Sequence, residues 1–484
     1  MLSVDISLTS SGVGAWEQVV ALTYAALDLI ARQGVTQELS ARFEAEGALA
    51  FKFMEKEADP SDYASDLAGR LHVYPPEQVL SGPILRQGFD AASVRAVLEA
   101  LTPEKMVVTL TSSSSARALN QSANHLTEPV YGTVYAPIEL SSALLAACSS
   151  PVAVPSLRLP DASNPFLATE FTMLPPSPPP PEAAAPSVVR SDASATLWHR
   201  VDTSFGSPHA SVSLLLKAPL VAQSSTGSAL AQLYSSLLAE GLKPVLNDAS
   251  NAQLSVSVAA GSTGFELVAY GLSQKLPALV RAAAAQFVSV PLERYAAHKQ
   301  LLVRALTNEA ATPTPTTFAK TVFSQLLSKI YYTPDEELAA LQASSVSDLA
   351  AFRQALVNAS YALGLAMGNI AAEDAASLVG DVTQLVGRQP LPEWQRPTQA
   401  VANLQGQSYL MALDHPNPKE TNGAVRLMLQ LGQLDAHQAA AAELLGDMLE
   451  HAFFYELRTV QQLGYIVQCG ARAATRRESL GSRQ

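Results

Sequence analysis

The sequence predicts an α+β fold: repeated layered domains in which helices pack on mainly antiparallel sheets. Three observations predict it. Short alternating apolar–polar runs recur, each followed by a longer run of helical period. Hairpin signals join neighbouring strands, as at Gly261-Ser262-Thr263. A proline-rich interruption separates blocks that repeat the pattern. The 484 residues are 48% apolar and 15% charged, which excludes a disordered chain. A net charge of −12 argues against a nucleic-acid partner, which needs a basic footprint. No run of ~20 apolar residues suggests a membrane span, and the first residues lack the pattern of a secretory signal. Two cysteines, Cys148 and Cys469, cannot make a disulfide scaffold and fit a reducing compartment, the cytosol.

In chain order, Leu2–Leu8 alternates as a half-buried strand does, Val19–Ala31 and Ala91–Leu101 have helical period, and Met106–Thr111 is rich in strand formers. Ser112–Ser115 reads as a loop. Pro175 to Pro181, with Pro186 beyond, is extended polyproline: an interdomain linker, or a ligand for an SH3 or WW module. The next block gives a strand at Ala210–Leu216, a helix at Ala229–Gly241 and a hairpin of Ala252–Ala260 with Gly264–Tyr270. Helices are expected at Ala278–Phe287, Leu292–Ala310 and Phe318–Ile330, then a strand at Ala362–Met367. A weaker break falls at Gly387 to Pro397. The last block predicts a strand at Val425–Leu431, a helix from Ala436 to Arg458, a turn at Gln461–Gly464 and a strand at Tyr465–Cys469. The arginine- and serine-rich tail beyond Gly470 has no apolar period.

A search for chemistry finds no H-E-x-x-H or H-x-x-E-H, no G-x-S-x-G elbow and no phosphate-binding glycine loop. The nearest metal pattern is Asp447-Met448-Leu449-Glu450-His451, where Asp447 and His451 share one helix face. These three polar residues are weak zinc candidates, or simply a solvated face. Cys148 and Cys469 read as small core residues. One segment stands out: Arg458 ends a helix, Gly464 allows a sharp turn, and Tyr465 opens a strand. A guanidinium and a phenol projected together could hydrogen-bond a peptide carbonyl or a developing oxyanion. The alternative is that Arg458 caps its helix and Tyr465 packs.

Leu457-Arg458-Thr459, with Gln462-Leu463-Gly464-Tyr465-Ile466-Val467, resembles a hallmark of the M16 metallopeptidases, in the insulin-degrading enzyme (insulysin) and pitrilysin branch. Other segments resemble the same family in the same order. They are Ala50-Phe51-Lys52-Phe53 with Glu55-Lys56-Glu57, Leu71-His72-Val73-Tyr74-Pro75, Leu101 to Met106, Tyr131-Gly132-Thr133 with Tyr135, Asn164-Pro165-Phe166, Leu197-Trp198 and Gly368-Asn369-Ile370. The agreement runs from Ser3 to about Gly470.

The resemblance implies four similar domains forming two halves that close around a peptide-holding chamber. It implies that residues 1–156 are the remainder of the second domain, 157–190 the linker, 191–396 the third domain and 397–484 a truncated fourth domain with an aberrant tail. The family's zinc motif lies in the first domain. The chain is therefore expected to bind no zinc and to be inactive alone, as the C-terminal portion of a zinc metalloendopeptidase. By resemblance, Arg458 and Tyr465 are substrate-binding residues. The implied partners are peptide substrates and a zinc-bearing N-terminal half, in cis or in trans. Self-association into a homo-oligomer is left open. A second reading is a non-catalytic subunit complementing a separate zinc-bearing half. The stretch Lys52 to Asp59 matches one that is more basic in polyanion-regulated members, and Ala58 and Asp59 depart from it. The strands that anchor substrate N-termini are expected at or before Met1. Location is expected to be cytosolic, or mitochondrial were a segment to precede Met1.

Overall fold

The computed structural model describes residues 2–57, 59–86, 88–112, 125–175, 185–202, 204–311, 313–404 and 408–471. Most of the proline run, nearly all of the 112–115 loop and the tail after Ala471 lie outside them. The chain divides into two compact units, Met1–Pro165 and Phe166–Gln484.

The first unit is helical: α1 (Ser10–Gly14), α2 (Trp16–Gln33), α3 (Gln37–Lys52), α4 (Pro60–Arg70), α5 (Ala91–Ala100) and α6 (Ser142–Ser149). A minimal hairpin pairs β1 (Leu126–Thr127) with β2 (Val134–Tyr135). Thr36 caps α3 by accepting from the Leu39 amide, and Asp59 caps α4 through two amides. Inside this unit Arg42 and Glu46 form a buried i,i+4 ion pair at 2.8 Å. Its remaining bonds go to the chain's return path: Arg42 donates to the Asp161 carbonyl at 2.7 Å, and Asn164 donates to Glu46 at 2.8 Å. A buried charge pair persists only when such further bonds satisfy it.

Unit two holds a six-stranded sheet of β3 (Ser187–Ser191), β4 (Ala195–Val201), β5 (His209–Lys217), β6 (Leu254–Gly261), β7 (Gly264–Leu272) and β8 (Tyr361–Gly368). Its order is β3-β4-β8-β5-β7-β6, and every pair is antiparallel except β4 with β8. The helices are α7 (Pro219–Ala222), α8 (Ser225–Asn251), α9 (Leu276–Ser289), α10 (Tyr295–Ala311), α11 (Pro315–Leu327), α12 (Pro334–Ala343), α13 (Val346–Asn358), α14 (Ala372–Leu385) and α15 (Ala436–Phe453).

Strand alternation decides how the layers form. Leu197, Val212, Leu214, Leu216, Leu254, Leu267, Ala362 and Ala366 point to one face, where they join buried residues of α8, α9, α13 and α14 in a single core cluster. Edge-to-face contacts among Tyr234, Phe265, Phe287 and Phe352 fill its centre. The Tyr234 hydroxyl is satisfied there by the Phe287 carbonyl at 2.7 Å, and burial pushes the phenol well above its ordinary range. Two glycines are required by close approach. A Cβ on Gly264 would stand 1.9 Å from the Leu216 carbonyl oxygen, and one on Gly368 (φ +100°) 2.5 Å from that of His209.

Several expectations fail in instructive ways. Residues 2–8, 106–111, 425–431 and 465–469 are not strands. Each has the right period, but a strand also needs a neighbour to take its amides and carbonyls. In 425–431 the apolar residues Val425, Leu427, Leu429 and Leu431 all stand exposed. The helix expected to reach Arg458 stays α-helical only to Phe453, and Phe454–Val460 continues it as a π-helix.

Candidate functional site

The helix leading to the conspicuous segment starts firmly. Asp435 accepts from the Gln438 amide at 2.9 Å and Gln438 returns a bond to the Asp435 amide at 3.0 Å, a reciprocal capping box. At Phe454 the winding loosens. The Gln461 amide donates to the Glu456 carbonyl, five residues back, at 2.8 Å, and the Leu463 amide reaches the Leu457 carbonyl at 2.8 Å. Such π-turns are uncommon and recur at functional sites. The chain then reverses through Gln462, which has φ +53°. The left-handed position is thus Gln462 and not the expected Gly464, where a Cβ would meet only ordinary contacts at 3.8 Å.

The reversal brings Arg458 and Tyr465 together. The guanidinium lies 4.4 Å from the centre of the Tyr465 ring and 4.8 Å from that of Phe454. An arginine plane held between two rings is fixed by cation–π attraction without using its N–H donors. Among the described residues those donors meet no carboxylate and no carbonyl. Tyr465 is 80% exposed. The pair therefore presents a fixed cation and a free phenol. Its chemistry is that of recognition: five N–H donors suited to a carboxylate or carbonyl, and one O–H able to support a developing oxyanion.

Asp447, Glu450 and His451 are not brought together with other donors. All three are exposed on α15, and no set of three or more metal-capable side chains exists among the described residues. Nor does a carbonyl or carboxylate among the described residues hold the His451 ring, as a zinc ligand's second nitrogen usually requires. These residues do not fit zinc. Cys148 is buried, and desolvation pushes its thiol up, away from nucleophilic chemistry.

One surface was not singled out by sequence reasoning. Most residues on the second face of the six-stranded sheet are half-buried to exposed, although Lys217, Leu272 and Tyr361 at its margins are buried. Cross-strand register aligns them in rows: Trp198, Leu365, Ser213, Val268 and Ser257 in one, and Arg200, Met367, Ser211, Tyr270 and Ser255 in the next. The signal was the alternation of Ser211 and Ser213 with Val212 and Leu214. It marks the face turned from the core but carries no hint of what it meets.

A family model described as the middle or third domain of peptidase M16 matches residues 51–340. The chain belongs to the M16 peptidase family. A second model, the C-terminal lobe domain 4 of PQQ synthase PqqF-like proteins, matches residues 444–482 and so takes in Arg458 and Tyr465. The chain is 26% identical to a nardilysin-like protein of Arabidopsis thaliana, over 98% of this chain and 46% of that one. It is 25% identical to human insulin-degrading enzyme, over 97% of this chain and 46% of that one. Among solved structures, pitrilysin superposes with a TM-score of 0.64 at 21% identity, over 96% of this chain and 48% of that one. The chain thus spans about half the length of the curated relatives it matches. A further relative, from Schizosaccharomyces pombe and 26% identical over 96% of this chain and 48% of that one, is named a putative zinc protease. Among the described residues no helix is long and apolar enough to cross a membrane.

Proposed function

We propose that this M16 chain is the substrate-gripping portion of an insulysin-like zinc endopeptidase and has no peptidase activity alone. The observation that carries the reading is the Arg458–Tyr465 pair: preorganised, with an exposed phenol and a half-buried guanidinium whose hydrogen-bonding groups are unspent among the described residues. In this reading Arg458 and Tyr465 engage the peptide near the bond to be broken. The half-exposed sheet face, with Trp198, Arg200 and Tyr270, adds a mixed apolar and polar wall against which an extended peptide can lie. Zinc and the carboxylate that activates water come from polypeptide carrying an H-x-x-E-H motif, in cis or in trans, and are not held by this chain. The N-terminal zinc-bearing half and short peptides are the partners, the compartment is the cytosol, and the boundaries follow the family: 1–156, 157–190, 191–396 and 397–484.

A fluorogenic peptide assay tests this. The purified chain, with or without added zinc, yields no chelator-sensitive cleavage. Mixing it with a zinc-bearing M16 half restores cleavage. Turnover by the chain alone would falsify the proposal. Restoration by a separately expressed half would favour the second reading, a complementing subunit.

A further inference from the structure

A polar relay around the buried His298 ring joins two helices of the second unit, away from everything discussed so far. Ser236 Oγ and His298 Nδ1 lie 2.6 Å apart, His298 Nε2 meets Glu240 Oε2, and Arg294 completes the line to Glu240 at 2.5 Å. Ser236 and Glu240 are one turn apart on α8, and His298 belongs to α10. His298 is 7% exposed, so its two bonds are its main source of polar compensation. A serine, an imidazole and a carboxylate in line suggest acyl transfer, but here the hydroxyl sits mid-helix. Its neighbouring amides serve the α8 ladder, and no donor pair faces a developing oxyanion.

We propose instead that Ser236, His298, Glu240 and Arg294 form a proton-controlled clip that fastens α10 to α8 more tightly when the imidazole is charged. The serine hydroxyl makes both states possible. Against a neutral ring protonated at Nε2, it donates to Nδ1. Against an imidazolium it turns and accepts from Nδ1–H. Both bonds survive, but only the charged ring adds an ion pair with Glu240, and charge-assisted bonds are about twice as strong as neutral ones.

Arg294 is a second cation on the same Glu240 carboxylate as the ring. From α8 the titratable groups are Glu240 and, along the next turn, Lys243, which with Arg294 and His298 holds the Glu240 carboxyl below its ordinary range, the His298 bond being the largest cause. From α10, Lys299 donates to the carbonyls of Gln342 and Ser344. From α12, Glu337 takes the Ser228 hydroxyl at 2.6 Å, two turns back along α8. Asp335 and Glu336 stand in that same first turn, Glu336 closing the capping box with Thr333. The clip also sits at a weak point, because Pro244 has no N–H to give the Glu240 carbonyl.

Beyond α10 in the chain, the Pro313 carbonyl meets the His415 ring at 2.9 Å, and the Leu327 carbonyl at the end of α11 accepts from the Ala402 amide at 2.8 Å.

Hydrogen exchange on the full chain tests the clip. Rates for amides 296–310 are measured between pH 5.5 and 8.5 in the parent, Glu240→Gln and His298→Gln. The ratio of variant to parent cancels the intrinsic pH dependence of exchange. At pH 5.5 both ratios are expected to be about five- to tenfold, falling towards one at pH 8.5, while amides of α9 (276–289) show a flat ratio. His298→Gln can keep both bonds and remains neutral, so it separates charge from packing. A ratio independent of pH, a ratio rising with pH, or an equal change in α9 would overturn the proposal.

Discussion

At the residue scale, the paired Arg458 and Tyr465 make the sharpest demands. If the phenol supports an oxyanion, Tyr465→Phe should lower kcat of the complemented enzyme by about 10²-fold and leave KM nearly unchanged, as removal of one oxyanion donor does elsewhere. Arg458→Lys keeps the charge but loses the planar stack and the forked donors, so KM should rise. Stopped-flow and steady-state kinetics on the mixed halves separate the two. Asp192 offers a test of stability. Partial burial pushes its carboxyl up, but bonds from Ser194, Arg190 and the Ala195 amide outweigh that and hold it well below the ordinary range. A depressed value means stability fully present above the unfolded pKa of ~3.9 and lost as pH falls below it. Asp192→Asn should therefore cost about 1 kcal/mol at pH 7, the side chain being 45% exposed, and progressively less below pH ~4, by urea denaturation at both.

At the scale of elements, period was legible and partnership was not. Ser211 and Ser213 alternating with Val212 and Leu214 declared β5, and Gly261-Ser262-Thr263-Gly264 declared the β6–β7 hairpin, because pleat and turn are local. The same period at 425–431 declared a strand that does not form, since nothing local can say whether a neighbour will be present. Helices α12 and α13 went unread although their starts were written plainly, Thr333 with Glu336 and Ser345 with Asp348. The π-turn at Phe454–Val460 has no sequence signal, because it differs from an α-helix by one residue of slack. The Arg458–Tyr465 pair was nevertheless legible through family resemblance, while its cation–π stacking was not. The row Val425, Leu427, Leu429 and Leu431 leaves four apolar side chains exposed. Leu427→Lys with Leu429→Lys should reduce self-association of the isolated chain, as read by analytical ultracentrifugation; unchanged sedimentation would show that the row is already covered in solution.

At the scale of the whole molecule, one cluster of buried residues unites the six strands' inner face with α8, α9, α13 and α14. A polypeptide of residues 166–404 should accordingly fold alone, with one cooperative thermal transition and m-value in proportion to its size. Its N-terminal boundary matters, because the Asn369 side chain takes the Leu174 amide at 2.7 Å and donates to the Thr172 carbonyl at 3.0 Å. Asn369 is 5% exposed, so Asn369→Ala orphans buried groups and should cost about 2 kcal/mol. A broad, non-cooperative melt of the 166–404 piece would mean that its core depends on residues outside it.

The position of β8 sets the order in which this protein can be made. It lies between β4 and β5 yet arrives some 160 residues after β4 in the chain, and it is the one strand aligned parallel with its neighbour. While a ribosome is still short of residue 368, the β5–β7–β6 meander can assemble but β4 has no permanent neighbour on its inner side. At ~5–20 residues per second that interval lasts on the order of 10 seconds. Nascent chains in that window leave two strand edges open at once, and they are the species a chaperone would have to shield.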